Sequence, residues 1–231
     1  MKFCEFEKVI SAKRMKRYVN ACGGNTRKAM TLYRLNLRLA EEMFTIVSCY
    51  EVALRNSIDG IMSASMGEDW LRDSIEAGGI FDDPKFHSTT RMMKKAYGEL
   101  VANGKYSGSK MLSAMEFGVW KYMYSNPQYK ATGRQLLKAF PNKPKSTPTL
   151  QYNNQFIFNE LDAVNRMRNR IAHHEPVCFL HDVDEISTMH LMGVYDKVMT
   201  LFGWMGIDSR SLLFGMDHVK SVCKEIEAIK H

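Results

Sequence analysis

The chain has 231 residues, 45% of them hydrophobic and 25% charged, which are the proportions of an ordinary globular protein long enough for one good core. No run approaches eighteen apolar residues, so no membrane span is expected; acids Glu5 and Glu7 stand where a secretory leader would be apolar, so the expected location is cytoplasmic. The net charge of +7 and a pI near 9.1 suit a polyanionic partner such as RNA.

Five cysteines (Cys4, Cys22, Cys49, Cys178 and Cys223) are an odd number at wide spacing, with no C-x-x-C pair. That pattern predicts free thiols and argues against a zinc knuckle or a thioredoxin-type pair. The histidines show no H-E-x-x-H or similar spacing, so no metal and no cofactor is expected.

Gly/Pro punctuation divides the chain into helical patterns with no period-2 segment and no internal repeat. A first helix is expected over about Glu7 to Cys22, closed by Gly23-Gly24. The longest pattern runs from about Thr26 to Met66. Leu32, Leu35, Leu39, Met43, Ile46, Tyr50, Leu54, Ile58 and Ile61 recur there in steps of three and four, which marks one buried face. Gly67 ends it. Residues 73 to 86 read as a loop. A helix over about Ser88 to Asn103 carries Arg91, Lys94 and Lys95 on an exposed face. Met111 to Tyr124 is helical again, with Met115, Val119 and Tyr122 inward. Pro141, Pro144 and Pro148 mark a loop. The next helix is expected over about 151–174, followed by a turn at Glu175-Pro176. C-terminal helices are expected over about 184–229, with Asp182, Asp184 and Glu185 suited to the first N-terminus. With no clean linker, the chain reads as a single all-α domain spanning 1–231.

The chemistry-bearing constellation sits near the end of the fifth of these expected helices. On a helix turning about 100° per residue, Ile157, Leu161, Val164, Ile171 and Ala172 form a core stripe, and Arg168 falls about 20° from Leu161 on that apolar side. A guanidinium aimed at a core is costly unless paired. Asn169 and His173, four apart, share one flank with Arg166 nearby. A histidine titrates near neutrality and can take or return a proton. An arginine can hold a phosphate and stabilise charge as it develops. His173 would then activate a ribose 2′-hydroxyl, Arg168 would stabilise the phosphorane-like transition state, and Asn169 would orient either one. Arg168 and His173 are about 140° apart on an ideal helix, so a second copy across a two-fold axis would complete the site. The plain structural alternative is Arg168 paired with Glu51 or Glu175, and a His173-His174 pair favoured by the helix dipole.

The string Arg168-Asn169-Arg170-Ile171-Ala172-His173-His174-Glu175-Pro176 resembles the R-N-R-hydrophobic-A-H-H-E signature of Abi-like proteins of the HEPN superfamily. Its Arg-x4-His core is similar to the motif of HEPN ribonucleases. Three further strings resemble the same family in order: Tyr18 to Gly24 with Ala29 to Leu37, Glu51 to Ile58 with Gly67 to Leu71, and Phe117 to Trp120. The resemblance implies an all-α HEPN-like bundle with additional helices. It implies a homodimer with a composite site, and metal-independent endoribonuclease activity in the active members. It makes Arg168, His173 and Asn169 site residues, with His174 an alternative base. Arg55 and Asn56 become phosphate contacts or supports for the motif helix, unless Arg55 only pairs with Glu51; Arg166 and Arg170 become RNA contacts. It also implies a role in phage defence by abortive infection or as a toxin, with an antitoxin or regulatory protein as a further partner. The alternative is an inactive module that binds RNA or a protein. The basic run Lys13 to Tyr18 has an RNA-docking reading beside that of a solvated helix face.

Overall fold

A computed structural model describes residues 1–230. Among the described residues there are twelve α-helices and no strand. They are α1 (Phe3–Ile10), α2 (Ala12–Ala21), α3 (Thr26–Met66), α4 (Trp70–Asp73), α5 (His87–Ala102), α6 (Gly108–Ala114), α7 (Phe117–Tyr122), α8 (Asn126–Ala131), α9 (Asn154–Ala172), α10 (Met189–Trp204), α11 (Ser209–Leu212) and α12 (Val219–Glu227). The all-α expectation holds. No helix among the described residues is long and apolar enough to cross a membrane.

The residues group into two compact units. One comprises Met1–Ser48, Arg166–Met199 and the chain from Ser209 on; the other comprises Cys49–Asn165 and Thr200–Asp208. Helix α3 contributes to both. Its 41 residues contain no proline and one glycine, Gly60, so nothing interrupts it. Leu32, Leu39, Met43, Ile46, Tyr50, Leu54 and Ile58 are fully buried along it, as the period predicts; Leu35 and Ile61, expected on the same face, are half-buried, and Met62 is buried instead of Ile61. Gly67, at φ +90°, stops it.

In the first unit, Tyr18 packs edge-on against Tyr33 and Phe179, with centroids 5.2 and 5.0 Å away. The buried Asn36 amide oxygen accepts the Val177 N–H at 2.8 Å, which ties the chain just beyond α9 to α3. Arg17 ion-pairs with Asp184 at 3.3 Å, donates to the Leu180 carbonyl at 2.9 Å and lies 4.5 Å over the Phe179 ring. Arg17 is therefore a structural member of the basic run Lys13 to Tyr18.

In the second unit, Tyr50 packs against Phe202, and Tyr124 against Phe140. Lys121 is buried and pairs with Asp162 of α9 at 2.9 Å. The Asn154 side-chain amide donates to the Tyr124 carbonyl at 3.0 Å.

The structure redraws several expected boundaries. The first expected helix is two helices, α1 and α2, separated by Ser11 at φ 83°, whose hydroxyl caps Arg14 N–H at 3.3 Å. The expected helix 111–124 breaks at Met115, which is extended (ψ 133°). In α7 it is Lys121, not Tyr122, that is buried, because Asp162 neutralises it. The expected helix from Asp184 begins at Met189 instead. Asp184 is taken by Arg17 and by the Asn20 amide at 2.8 Å. Residues 178–187 form a short antiparallel bridge, with Ser187 N–H donating to the Cys178 carbonyl and Leu180 N–H to the Glu185 carbonyl, both at 2.9 Å. The acid at the start of α10 is Glu227, far away in sequence, which accepts from Thr188 N–H at 2.9 Å. The last expected helix splits into α11 and α12, with Gly215 at φ +74° between them.

Candidate functional site

The site is built on the last turn of α9 and the turn that leaves it. Ile157, Leu161, Val164, Met167 and Ile171 are buried along α9, which sets the rotation of the helix. Ala172, expected in that stripe, is exposed, because the helix ends there. Met167 takes its place.

Arg168 is half-buried, and its Nε is buried with no hydrogen-bond acceptor among the described residues. The pairing of Arg168 with Glu175 does not form. Glu175 goes to Arg170, whose Nε lies 3.5 Å from it while its guanidinium donates to the Pro176 carbonyl at 2.6 Å. The two arginines of the string therefore differ. The Nε of each is buried without a hydrogen-bond acceptor, but Arg170 is committed to the turn through Glu175 and the Pro176 carbonyl, whereas Arg168 has no such partner to offset a charged donor left unmatched.

Asn169, His173 and His174 are exposed. Their side chains make no hydrogen bond or ion pair among the described residues. The His173 N–H still donates to the Asn169 carbonyl at 2.9 Å, so helical register runs through His173 and keeps it on the Asn169 flank. Then the chain reverses. His174 N–H donates to Ile171 O at 2.9 Å, and Glu175 N–H to Arg170 O at 2.8 Å. This pair of bonds is the Schellman closure of a helix, and it puts His174 at the left-handed position. Its φ is 55°, a conformation that crowds any Cβ.

Arg166 is exposed at the same helix end. Arg55 and Asn56 lie on the part of α3 that belongs to the other unit. Arg55 is half-buried with a buried, unaccepted Nε. Asn56 is exposed and lines a hollow of about 530 Å³ with Ser57, Gly60, Gln135 and Lys138.

One residue near the motif escaped the sequence reading. His190, in the first turn of α10, has its pKa held below the ordinary histidine value by burial, and further by the positive charges of Arg170, His181 and Arg166. Proton uptake by this imidazole is thereby disfavoured. No spacing could have found it, since it reaches the arginines through the bridge of residues 178–187. Nearby, burial pushes the Cys178 thiol up to about 12, which makes it inert packing rather than a nucleophile.

Chemically, the end of α9 offers an unpaired guanidinium, a free amide and two uncommitted imidazoles. Such a set can bind a phosphate and move a proton beside it.

A family described as "Abi-like protein" matches residues 3–178, a span that includes the end of α9 and its turn. No curated protein and no solved structure matches the chain.

Proposed function

Since this chain belongs to the Abi-like family, we propose that it acts in abortive infection as a HEPN-type, metal-independent endoribonuclease, its working residues being those at the end of α9. A ribose 2′-oxygen attacks the adjacent phosphorus, the bond to the 5′-oxygen breaks, and the products are a 2′,3′-cyclic phosphate and a 5′-hydroxyl. His173 or His174 takes the 2′-hydroxyl proton. Arg168 stabilises the charge that builds on the non-bridging oxygens, and Asn169 orients the phosphate. Arg166 contacts the neighbouring RNA backbone. The leaving 5′-oxygen needs a proton from a second acid, which a second copy of the motif supplies in a homodimer.

The observation that carries this reading is that Arg168 has neither an acceptor at its buried Nε nor an ion pair, whereas Arg17 and Arg170, whose Nε atoms are likewise unmatched, pair with Asp184 and Glu175. A charged donor left unmatched is a standing cost, and a phosphate is the ligand that removes it. The left-handed His174 supports the same reading, because backbone strain of this kind gathers at working sites.

The test is cleavage of total RNA by purified wild type, Arg168→Ala, and the His173→Ala/His174→Ala double variant, with end chemistry read out. The expected result is cyclic phosphate ends from wild type in the presence of EDTA. Each variant should lose activity by about 100-fold or more while its circular dichroism is unchanged. Undiminished cleavage by the double variant overturns the mechanism. RNA binding without cleavage by wild type reduces the site to a binding module.

A further inference from the structure

A second site lies on α5, in the other unit. The segment before this helix folds back onto it. The Thr90 hydroxyl donates to the Phe81 carbonyl at 2.8 Å, and the Phe81 and Phe86 rings meet edge-on at 5.3 Å. A hollow of about 670 Å³ remains between the segment and the helix, within the usual size of a small-ligand site.

Its lining has a definite chemistry. His87, Arg91, Lys94 and Lys95 occupy positions i, i+4, i+7 and i+8 of α5 and all line it, which is one continuous face of the helix. None of the four makes a hydrogen bond through its side chain or an ion pair among the described residues. The carboxylates on the opposite wall are already engaged. Asp82 accepts Gly78 N–H at 3.0 Å, and Asp83 accepts Lys85 N–H at 2.9 Å and pairs with its ammonium at 2.8 Å. Three full positive charges thus share two helical turns without a partner, where like charges at this spacing repel. The aliphatic stems of the same side chains and the Pro84 ring give the hollow an apolar wall. A cationic rim over an apolar wall, at this volume, matches a ligand with a flat apolar body and a phosphate tail.

We propose that the hollow between residues 81–84 and α5 binds a nucleotide, with Arg91, Lys94 and Lys95 on its phosphates and Pro84 and the lysine stems against its base. The site is independent of the residues at the end of α9 and gives the protein a small-molecule input.

Isothermal titration of the full chain with ATP, AMP and inorganic phosphate, at about 150 mM salt to screen loose attraction, tests this. The expected result is saturable ATP binding that weakens at least about tenfold in Arg91→Ala/Lys94→Ala/Lys95→Ala, through loss of charge-assisted bonds to phosphate. Binding should be unchanged in Lys8→Ala/Lys130→Ala/Lys224→Ala, which removes the same charge from other exposed positions. It should also be unchanged in His173→Ala/His174→Ala, so failure of the ribonuclease reading leaves this result standing. All substituted lysines and Arg91 are exposed, and thermal melting confirms that the variants fold. No saturable binding of either nucleotide overturns the proposal, as does equal weakening in the lysine control. Inorganic phosphate binding as tightly as ATP removes the role of the base and overturns the nucleotide assignment.

Discussion

Five helices of this protein end in the same pair of backbone bonds, and one of them differs from the other four. At the ends of α2, α5, α8 and α10 the left-handed residue is Gly23, Gly104, Gly133 and Gly206, with φ of 58°, 62°, 71° and 78°. At the end of α9 the same position holds His174, at φ 55°. Glycine meets this geometry without a Cβ clash, and a histidine costs about 1 kcal/mol more. Four ends therefore use the residue that physics favours, and the fifth carries an imidazole beside the unpaired Arg168. Among these five closures, the difference marks the end where stability was given up for a side chain.

Several experiments break or sharpen that comparison. The largest expected effect is on activity: Arg168→Ala should lower RNA cleavage by about 100-fold or more with little change in melting temperature, because its Nε makes no bond to lose. Arg170→Ala should do the reverse. It removes a charge-assisted bond to the Pro176 carbonyl and should cost about 1.5 to 3 kcal/mol in urea unfolding, with a smaller effect on cleavage. If the two variants behave alike, the division of labour between these arginines is wrong.

A smaller effect tests His174 itself. His174→Gly should raise stability by about 1 kcal/mol, or about 2–4 °C in melting temperature for a chain of this size, while cleavage falls if this imidazole is the base and holds if His173 is. The mirror substitution, Gly23→His, should cost about the same amount. A Cβ there would meet nothing within 4 Å, so only backbone strain is measured. A stabilised Gly23→His would remove the argument.

The smallest effect concerns His190. Its pKa is lowered in the folded state, so below the ordinary value of about 6.5 the unfolded chain binds the proton more readily. Stability from this group is intact above about pH 6.5 and is lost as pH falls through the window between the unfolded and folded values. His190→Asn should therefore flatten the decline of melting temperature between about pH 7 and 5. An unchanged slope would place His190 outside the cationic cluster.

Much of this was legible from residues alone. The period of α3 and its stop at Gly67 follow from local spacing, as do the Gly23-Gly24 turn and the α9 core stripe. Hydrophobic periodicity and glycine conformation act over a few residues, so a local reading captures them. The family string at 168–176 was legible in the same way. Expectations failed where a distant partner decided the outcome. The acids at 184 and 185 read as a helix start, but Arg17 and Asn20 lie across from Asp184 and hold the segment in a bridge. Tyr122 read as inward, but Asp162 brought Lys121 inside instead.

The sequence by itself determined the helical class, the position of the motif on the last turn of α9 and the family. Tertiary structure decided which arginine of the motif is spent on the turn, which is left unpaired, and that His190 stands among cations. It also decided that the α9 end closes with a left-handed histidine, and that Arg91, Lys94 and Lys95 of α5 face a hollow. The reason is that pairing and burial depend on which groups from remote parts of the chain arrive at the same place. Spacing along one helix cannot specify that.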